Sequence, residues 1–274
     1  MKPPSFEYRR AASVDEALEL LAAGDGDAKA LAGGQSLVAL MNLRLARPVT
    51  LVDIAPIAEL RGVSSNGGLR IGALTTLAEL EQDPAVAQAS PLLAEALPYI
   101  GHPAIRNRGT AGGSVAHADP AAELPVVLSA LDATVTVRSR TGERTIPARE
   151  FFRGFLMTAA GHDELVTAIT LPPATDGAAF EEFARRPGDF ALVSVACAVS
   201  GGEATVALGG VSGAPVVVGP TAVDSGDAID AFAASAAESI APPSDVHGSR
   251  EYRQHLTREL AARAVRRATA ARRS

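Results

Sequence analysis

The sequence predicts an α+β protein in which short helices and short strands alternate as far as Pro172–Gly177, with longer strands and long helices beyond. Three observations predict it. Apolar residues recur at helical spacing in some segments and alternate in others. Two paired-glycine segments, Ala32–Leu37 and Thr110–Ser114, each stand at the entrance to a helix. The proline- and glycine-bearing stretch at Pro172–Gly177 is the best boundary in the chain, because the pattern changes after it.

Taken in order, Ser13-Val14-Asp15-Glu16 has the form of a capping box: the hydroxyl caps the helix and Glu16 reaches back. The helix then runs through Leu18 and Leu21, with Gly24 just past its end. Ala28–Leu31 is a short apolar stretch broken by Gly33-Gly34. Leu37–Leu45 has helical spacing and stops before Pro48. Thr50–Ile54 and Leu69–Ala73 are strand patterns. Thr76–Glu81 and Pro91–Leu97 are helix patterns, and Gly101–Asp119 is too irregular for a regular element. Glu123–Leu131 is an apolar helix with Pro120 in its first turn. Ala133–Arg138 alternates, turns at Thr141-Gly142 and meets a partner around Glu143–Ile146; Glu164–Leu171 alternates again. Beyond the boundary, Ala178–Arg185, Ala191–Val199 and Ala204–Leu208 are either three antiparallel strands or a helix with two strands. Asp224–Ile240 and Arg250–Arg273 are helices, the latter with Leu256, Leu260, Ala264 and Val265 on its apolar side.

Composition narrows the function. A net charge of −6 gives no global pull toward nucleic acid, and no apolar run is long enough to span a membrane. The N-terminus lacks a signal-peptide pattern, which points to the cytoplasm. The one cysteine, Cys197, sits in an apolar run as a core residue. A single cysteine excludes an internal disulfide and an all-cysteine iron–sulfur or zinc site. The five histidines, His102, His117, His162, His247 and His255, show no metal-ligand spacing. No catalytic nucleophile or acid–base constellation stands out.

The glycine segments carry the chemistry. In Ala32-Gly33-Gly34-Gln35-Ser36-Leu37 paired glycines admit a close approach of backbone, successive N–H groups make an anion-binding concavity, and the following helix adds its dipole. Thr110-Ala111-Gly112-Gly113-Ser114 repeats the pattern and adds Asp119 and Glu123 downstream, carboxylates suited to accept from ribityl or ribose hydroxyls. Either segment alone is also an ordinary turn, and Asp119, before Pro120, is equally a helix cap. Two segments together point to an extended, doubly phosphorylated ligand. Arg106 and Arg108 serve that diphosphate, a protein interface or a solvated surface. The C-terminal arginines Arg263, Arg266, Arg267, Arg272 and Arg273 favour the negative end of the last helix.

These segments, with Met41-Asn42-Leu43-Arg44, Ile100-Gly101-His102, Arg185-Arg186-Pro187-Gly188-Asp189-Phe190 and Ala207-Leu208-Gly209-Gly210-Val211, resemble the FAD-binding medium subunit of molybdenum hydroxylases, the group of the carbon monoxide dehydrogenase medium subunits and the xanthine dehydrogenase FAD subunits. The resemblance covers almost the whole chain. It implies a vanillyl-alcohol-oxidase-like, PCMH-type FAD domain over 1–175, in two parts of about 1–55 and 56–175. A small C-terminal domain of antiparallel sheet plus helices then occupies 176–274. FAD is the implied cofactor. Its diphosphate residues carry over to Ala32, Gly33, Gly34, Gln35, Ser36 and Leu37, and to Thr110, Ala111, Gly112, Gly113 and Ser114. Glu123 stands where the xanthine dehydrogenases have Asp against the flavin's sugar-like chain, with Asp119 as the nearby alternative. Val166 and Phe190 are the remaining implied contacts, Phe190 against the isoalloxazine. The implied partners are a small [2Fe–2S] subunit and a large molybdopterin subunit in a dimer of heterotrimers. Electrons pass from iron–sulfur to NAD⁺, O₂, a quinone or another acceptor. A stand-alone flavin oxidase or NAD(P)H dehydrogenase is the alternative, and a scaffold subunit without flavin a third.

Overall fold

The computed structural model describes residues 2–271. Its first layer is a parallel sheet of β1 (Glu7–Arg10), β2 (Ala28–Leu31) and β3 (Thr50–Asp53), ordered β1-β3-β2. Helix α1 (Val14–Ala23) links β1 to β2, and α2 (Leu37–Asn42) links β2 to β3. Ser13 caps α1 by accepting from the Glu16 N–H at 3.2 Å, while Glu16 reaches back one residue further than the box requires, to the Ala12 N–H at 2.7 Å. Val14, Ala17, Leu18 and Leu21 then face Val52, Ile54, Ile57 and Leu74, a small core of its own.

The second layer is a five-stranded antiparallel sheet. It contains β4 (Val63–Ser65), β5 (Leu69–Gly72), β6 (Thr134–Ser139), β7 (Gly142–Pro147) and, after the two-stranded ribbon β8 (Phe152–Gly154) and β9 (Met157–Thr158), β10 (Leu165–Leu171). The order is β4-β5-β10-β6-β7. Between β5 and β6 come α3 (Leu77–Gln82), α4 (Pro84–Ala89), α5 (Pro91–Ala96), α6 (Pro103–Arg106), α7 (Ala111–His117) and α8 (Glu123–Ala130), with α9 (Ala148–Phe151) after β7. Thr76 closes a complete capping box with Glu79 at the start of α3. Pro84 and Pro91 begin α4 and α5, where a missing N–H costs nothing.

The third layer is a four-stranded antiparallel sheet in simple sequence order, β11 (Gly177–Phe183), β12 (Val193–Ser200), β13 (Glu203–Gly209) and β14 (Val216–Ala222). One face packs on α10 (Gly226–Glu238) and α11 (Arg250–Ala271) through Val193, Val195, Val206 and Leu208. The other face presents Phe180, Ala196, Ala198 and Ala207 to α5 and α8. A central strand covered on both sides explains the unbroken apolar run of β12.

Several expectations are corrected. The segment Gly101–Asp119 holds two short helices, α6 and α7. Pro120 lies outside α8, whose N-cap is Ala122; the proline within α8 is Pro125. Strand β14 and helix α4 carried no expectation from the sequence. The three segments beyond the boundary are strands. Arg263 and Arg267 pair with Glu181, Arg267 also with Glu95, and Arg266 with Asp230, so these arginines tie α11 to its neighbours rather than to its own carboxyl end. Arg272 and Arg273 lie outside the described residues.

Candidate functional site

The end of β2 delivers the first glycine segment to a cleft of about 560 Å³ lined by Ala32, Gly33, Arg61, Thr76, Arg108 and Thr110 among others. Gly34 has φ +73°, a left-handed conformation that a side chain disfavours. Gly33 is forced by proximity instead. A Cβ there would sit 2.0 Å from the Arg108 carbonyl oxygen and 3.1 Å from the Gly109 Cα, so the two glycine-bearing regions touch backbone to backbone. The N–H groups of Gly33, Gly34, Gln35, Ser36 and Leu37 have no hydrogen-bond acceptor among the described residues, and the Ser36 hydroxyl does not cap α2. Gln35 folds back, its amide donating to the Gly33 carbonyl at 3.1 Å. A row of unpaired N–H groups at a helix start beside a basic side chain suits a phosphate.

The second segment has a different structure from the one its sequence suggests. Gly112, Gly113 and Ser114 lie within α7, not in a loop. Their N–H groups are already used. Ala111 donates to the Thr75 carbonyl at 3.0 Å, Gly112 to Ala73 at 2.8 Å, Gly113 to the Thr110 hydroxyl at 3.1 Å and Ser114 to the Thr110 carbonyl at 3.0 Å. The glycine at 112 serves packing: a Cβ would lie 2.5 Å from the Ala73 Cβ and 2.8 Å from its carbonyl oxygen. What remains for a ligand here are the Thr110 N–H, which has no acceptor among the described residues, the Thr110 hydroxyl proton and the Ser114 hydroxyl. Helix α7 ends at Ala118, a non-glycine residue with φ 51°, which turns the chain sharply into Asp119.

Asp119 accepts from the Ala121 N–H at 2.9 Å, so it closes a turn and does not cap α8. His117 stands 3.9 Å from its carboxylate. Glu123, the first residue of α8, is 5% exposed with no ion-pair partner among the described residues. Burial pushes its carboxyl up to about 7, and the charge of Asp119 adds to the shift.

Of the two arginines, only Arg108 lines the cleft. Arg106 is buried, paired with both Glu81 oxygens at 2.7 and 3.2 Å and donating to the carbonyls of Pro98, Ile100 and Gly101. It builds the turn before α6 and is neither a solvated surface nor a diphosphate ligand. The segment Arg185–Phe190 reaches the same region, because Gly188 (φ +80°) packs so closely on His102 that a Cβ would meet its ring at 2.5 Å. Phe190 beside it is 64% exposed. Val166 is buried in the core of the second sheet, away from the cleft lining. The C-terminal sheet is stitched on by Gly210, whose N–H donates to the Pro120 carbonyl at 2.9 Å.

The sequence reading missed two groups. Glu182 Oε2 and Ser194 Oγ are buried polar atoms with no hydrogen-bond partner. Their positions in an apolar strand pattern were the available signal. Among the described residues no group of three or more His, Cys, Asp or Glu is arranged to hold a metal ion. No helix among them is long and apolar enough to cross a membrane.

The model of the FAD binding domain in molybdopterin dehydrogenase matches residues 4–174, and that of the CO dehydrogenase flavoprotein C-terminal domain matches 178–268. The chain is 44% identical to the 6-hydroxypseudooxynicotine dehydrogenase complex subunit alpha of Paenarthrobacter nicotinovorans, over 97% of this chain and 95% of that one. It is 40% identical to the nicotine 6-hydroxylase medium subunit of the same organism, over 97% and 98%. The solved carbon monoxide dehydrogenase of Hydrogenophaga pseudoflava superposes with a TM-score of 0.94 at 36% identity, covering 99% of each chain. The chain belongs to the family of FAD-binding subunits of molybdopterin dehydrogenases, and with it to the FAD-dependent oxidoreductases.

Proposed function

We propose that this family member works as the FAD-bearing link of a molybdenum hydroxylase assembly, receiving electrons from iron–sulfur clusters of a small partner subunit and passing them to an external acceptor, with the hydroxylated substrate bound by a large molybdopterin subunit. The observation that carries the cofactor half is the row of unpaired N–H groups from Gly33 to Leu37, which begins at the edge of a cleft lined by Gly33 and Arg108. Bound FAD supplies the redox chemistry, and the protein supplies position and electrostatics. Those N–H groups, with the Ser36 hydroxyl and the Arg108 guanidinium, hold the diphosphate. The Ser114 hydroxyl contributes from α7, while Thr110, Ala111, Gly112 and Gly113 shape the wall through their backbone contacts with Ala73–Leu77. Glu123 accepts from the polyol chain, and exposed Phe190 covers the isoalloxazine. A single buried cysteine leaves this chain without iron–sulfur ligands of its own, which supports a partner as the electron source.

The same reading assigns 1–175 to the FAD domain, parted near 55, and 176–274 to the C-terminal domain. It places the protein in the cytoplasm within a dimer of heterotrimers, with NAD⁺, O₂ or a quinone as acceptor. Purification of the native protein with an absorption spectrum and metal analysis tests it. A flavin spectrum with iron, molybdenum and two further chains is expected. A yellow single chain without metals points instead to a stand-alone flavin enzyme, and a colourless chain that takes up no FAD removes both readings.

A further inference from the structure

The inner face of the C-terminal sheet carries an unexplained polar row. Glu182 on β11 is paired in register with Ser194 on β12, and Ser194 with Gly209 on β13. Ser194 is fully buried and its hydroxyl has no partner; one carboxylate oxygen of Glu182 is likewise buried and unpaired. An orphaned buried polar atom is costly, and two in one row call for a reason. Gly209 keeps the row open: a Cβ there would lie 2.5 Å from the Ser194 hydroxyl and 2.5 Å from Val126 of α8. The face is therefore packed against α8, whose first residue is Glu123. Burial pushes the Glu182 carboxyl up to about 8, and the charge of Glu123 acts on it in the same direction.

We propose that Glu182 and Ser194 form, with Glu123, the part of the cofactor site that takes the hydroxyl-bearing chain of FAD, so that the C-terminal sheet is a wall of that site. The proposal rests on the FAD reading above. Chemistry selects the ligand segment. A phosphate is repelled by two acids, with no basic side chain paired to either. Hydroxyl groups both donate and accept, which suits carboxyls that burial holds partly protonated together with a serine hydroxyl. Two adjoining segments of the cofactor are thereby sorted by charge. The diphosphate goes to the N–H groups of Gly33–Leu37, and the polyol to the acids at the junction of α8 and β11–β12.

The test uses the full chain freed of flavin, titrated with FAD and separately with ADP, which carries the diphosphate but no ribityl chain. Glu182→Leu is expected to weaken FAD binding several-fold, up to about tenfold, as loss of a hydrogen bond to a largely neutral carboxyl implies. Glu182→Gln, which still donates and accepts, is expected to stay within a few-fold of the parent. Ser194→Ala is expected to weaken FAD binding a few-fold, and ADP affinity is expected to hold in all three variants. The apoprotein Tm of Glu182→Leu is expected to rise, because an unpaired buried carboxyl is removed. Unchanged FAD affinity in Glu182→Leu, a parallel loss of ADP affinity, or a fall in apoprotein Tm overturns the proposal while leaving the FAD reading standing. A parent protein that binds no FAD overturns both.

Discussion

Replacing Gly33 by Ala tests the closest contact in the site. The added Cβ would stand 2.0 Å from the Arg108 carbonyl oxygen, about 1.5 Å short of the roughly 3.5 Å that ordinary contact needs. The obstacle is backbone on both sides, and Arg108 is tied down because its N–H and that of Gly109 both donate to the Ile105 carbonyl, at 3.1 and 2.7 Å. The two segments must therefore separate. Overpacking of this kind costs about 1–3 kcal/mol, which at this chain length lowers Tm by several degrees. Separation also withdraws the N–H groups of Gly33–Leu37 from Arg108, so flavin retention falls further than stability does. Gly33→Asp adds a negative charge where phosphate is to bind and is expected to abolish retention. The assay is flavin absorbance per chain after gel filtration, beside thermal unfolding of the flavin-free protein. A Gly33→Ala protein with parental flavin content and parental Tm would show that the segments do not meet as described.

Other expectations are independent of the glycines. Arg106→Ala leaves Glu81 and three carbonyls without their donor and is expected to cost about 3 kcal/mol in denaturant unfolding, whereas a loss under 1 kcal/mol would make the buried pair incidental. Cys197 is fully buried and its thiol is pushed up to about 12, so an aromatic disulfide reagent at pH 8 is expected to titrate it only after unfolding; prompt reaction of the native protein refutes that burial. Glu123 and Glu182 are raised in the folded state to about 7 and about 8, so between the ordinary carboxylate range and pH 8 the folded chain holds more protons than the unfolded one. Flavin-free protein is thus expected to lose stability as pH rises from 5 to 8, through these groups, and Glu182→Gln to flatten the slope; a parental slope in that variant counts against the raised carboxyl.

Much of the fold was legible because its signals are local. Ser13 and Thr76 announce α1 and α3 by hydroxyls that satisfy N–H groups three residues on, and strand alternation in Thr134–Ser139 needs only a period of two, whereas Leu165–Leu171 is buried on both faces. The glycine pairs, read with their flanking residues, were enough to identify the family and its cofactor. Which glycine segment keeps its N–H groups unpaired was not legible. Gly33–Leu37 and Ala111–Ser114 look alike in sequence, yet the second set spends its N–H groups on Ala73, Thr75 and Thr110, while the first set spends none. That difference depends on segments about forty residues apart being folded together. The same holds for Arg106, whose charge looked available until Glu81 and the surrounding carbonyls enclosed it, and for Glu182 and Ser194, which are unremarkable until α8 covers them. The sequence by itself determined most of the local elements and the family. The tertiary structure alone decided which donors and acceptors are left unpaired, because pairing and desolvation are properties of residues brought together from distant parts of the chain.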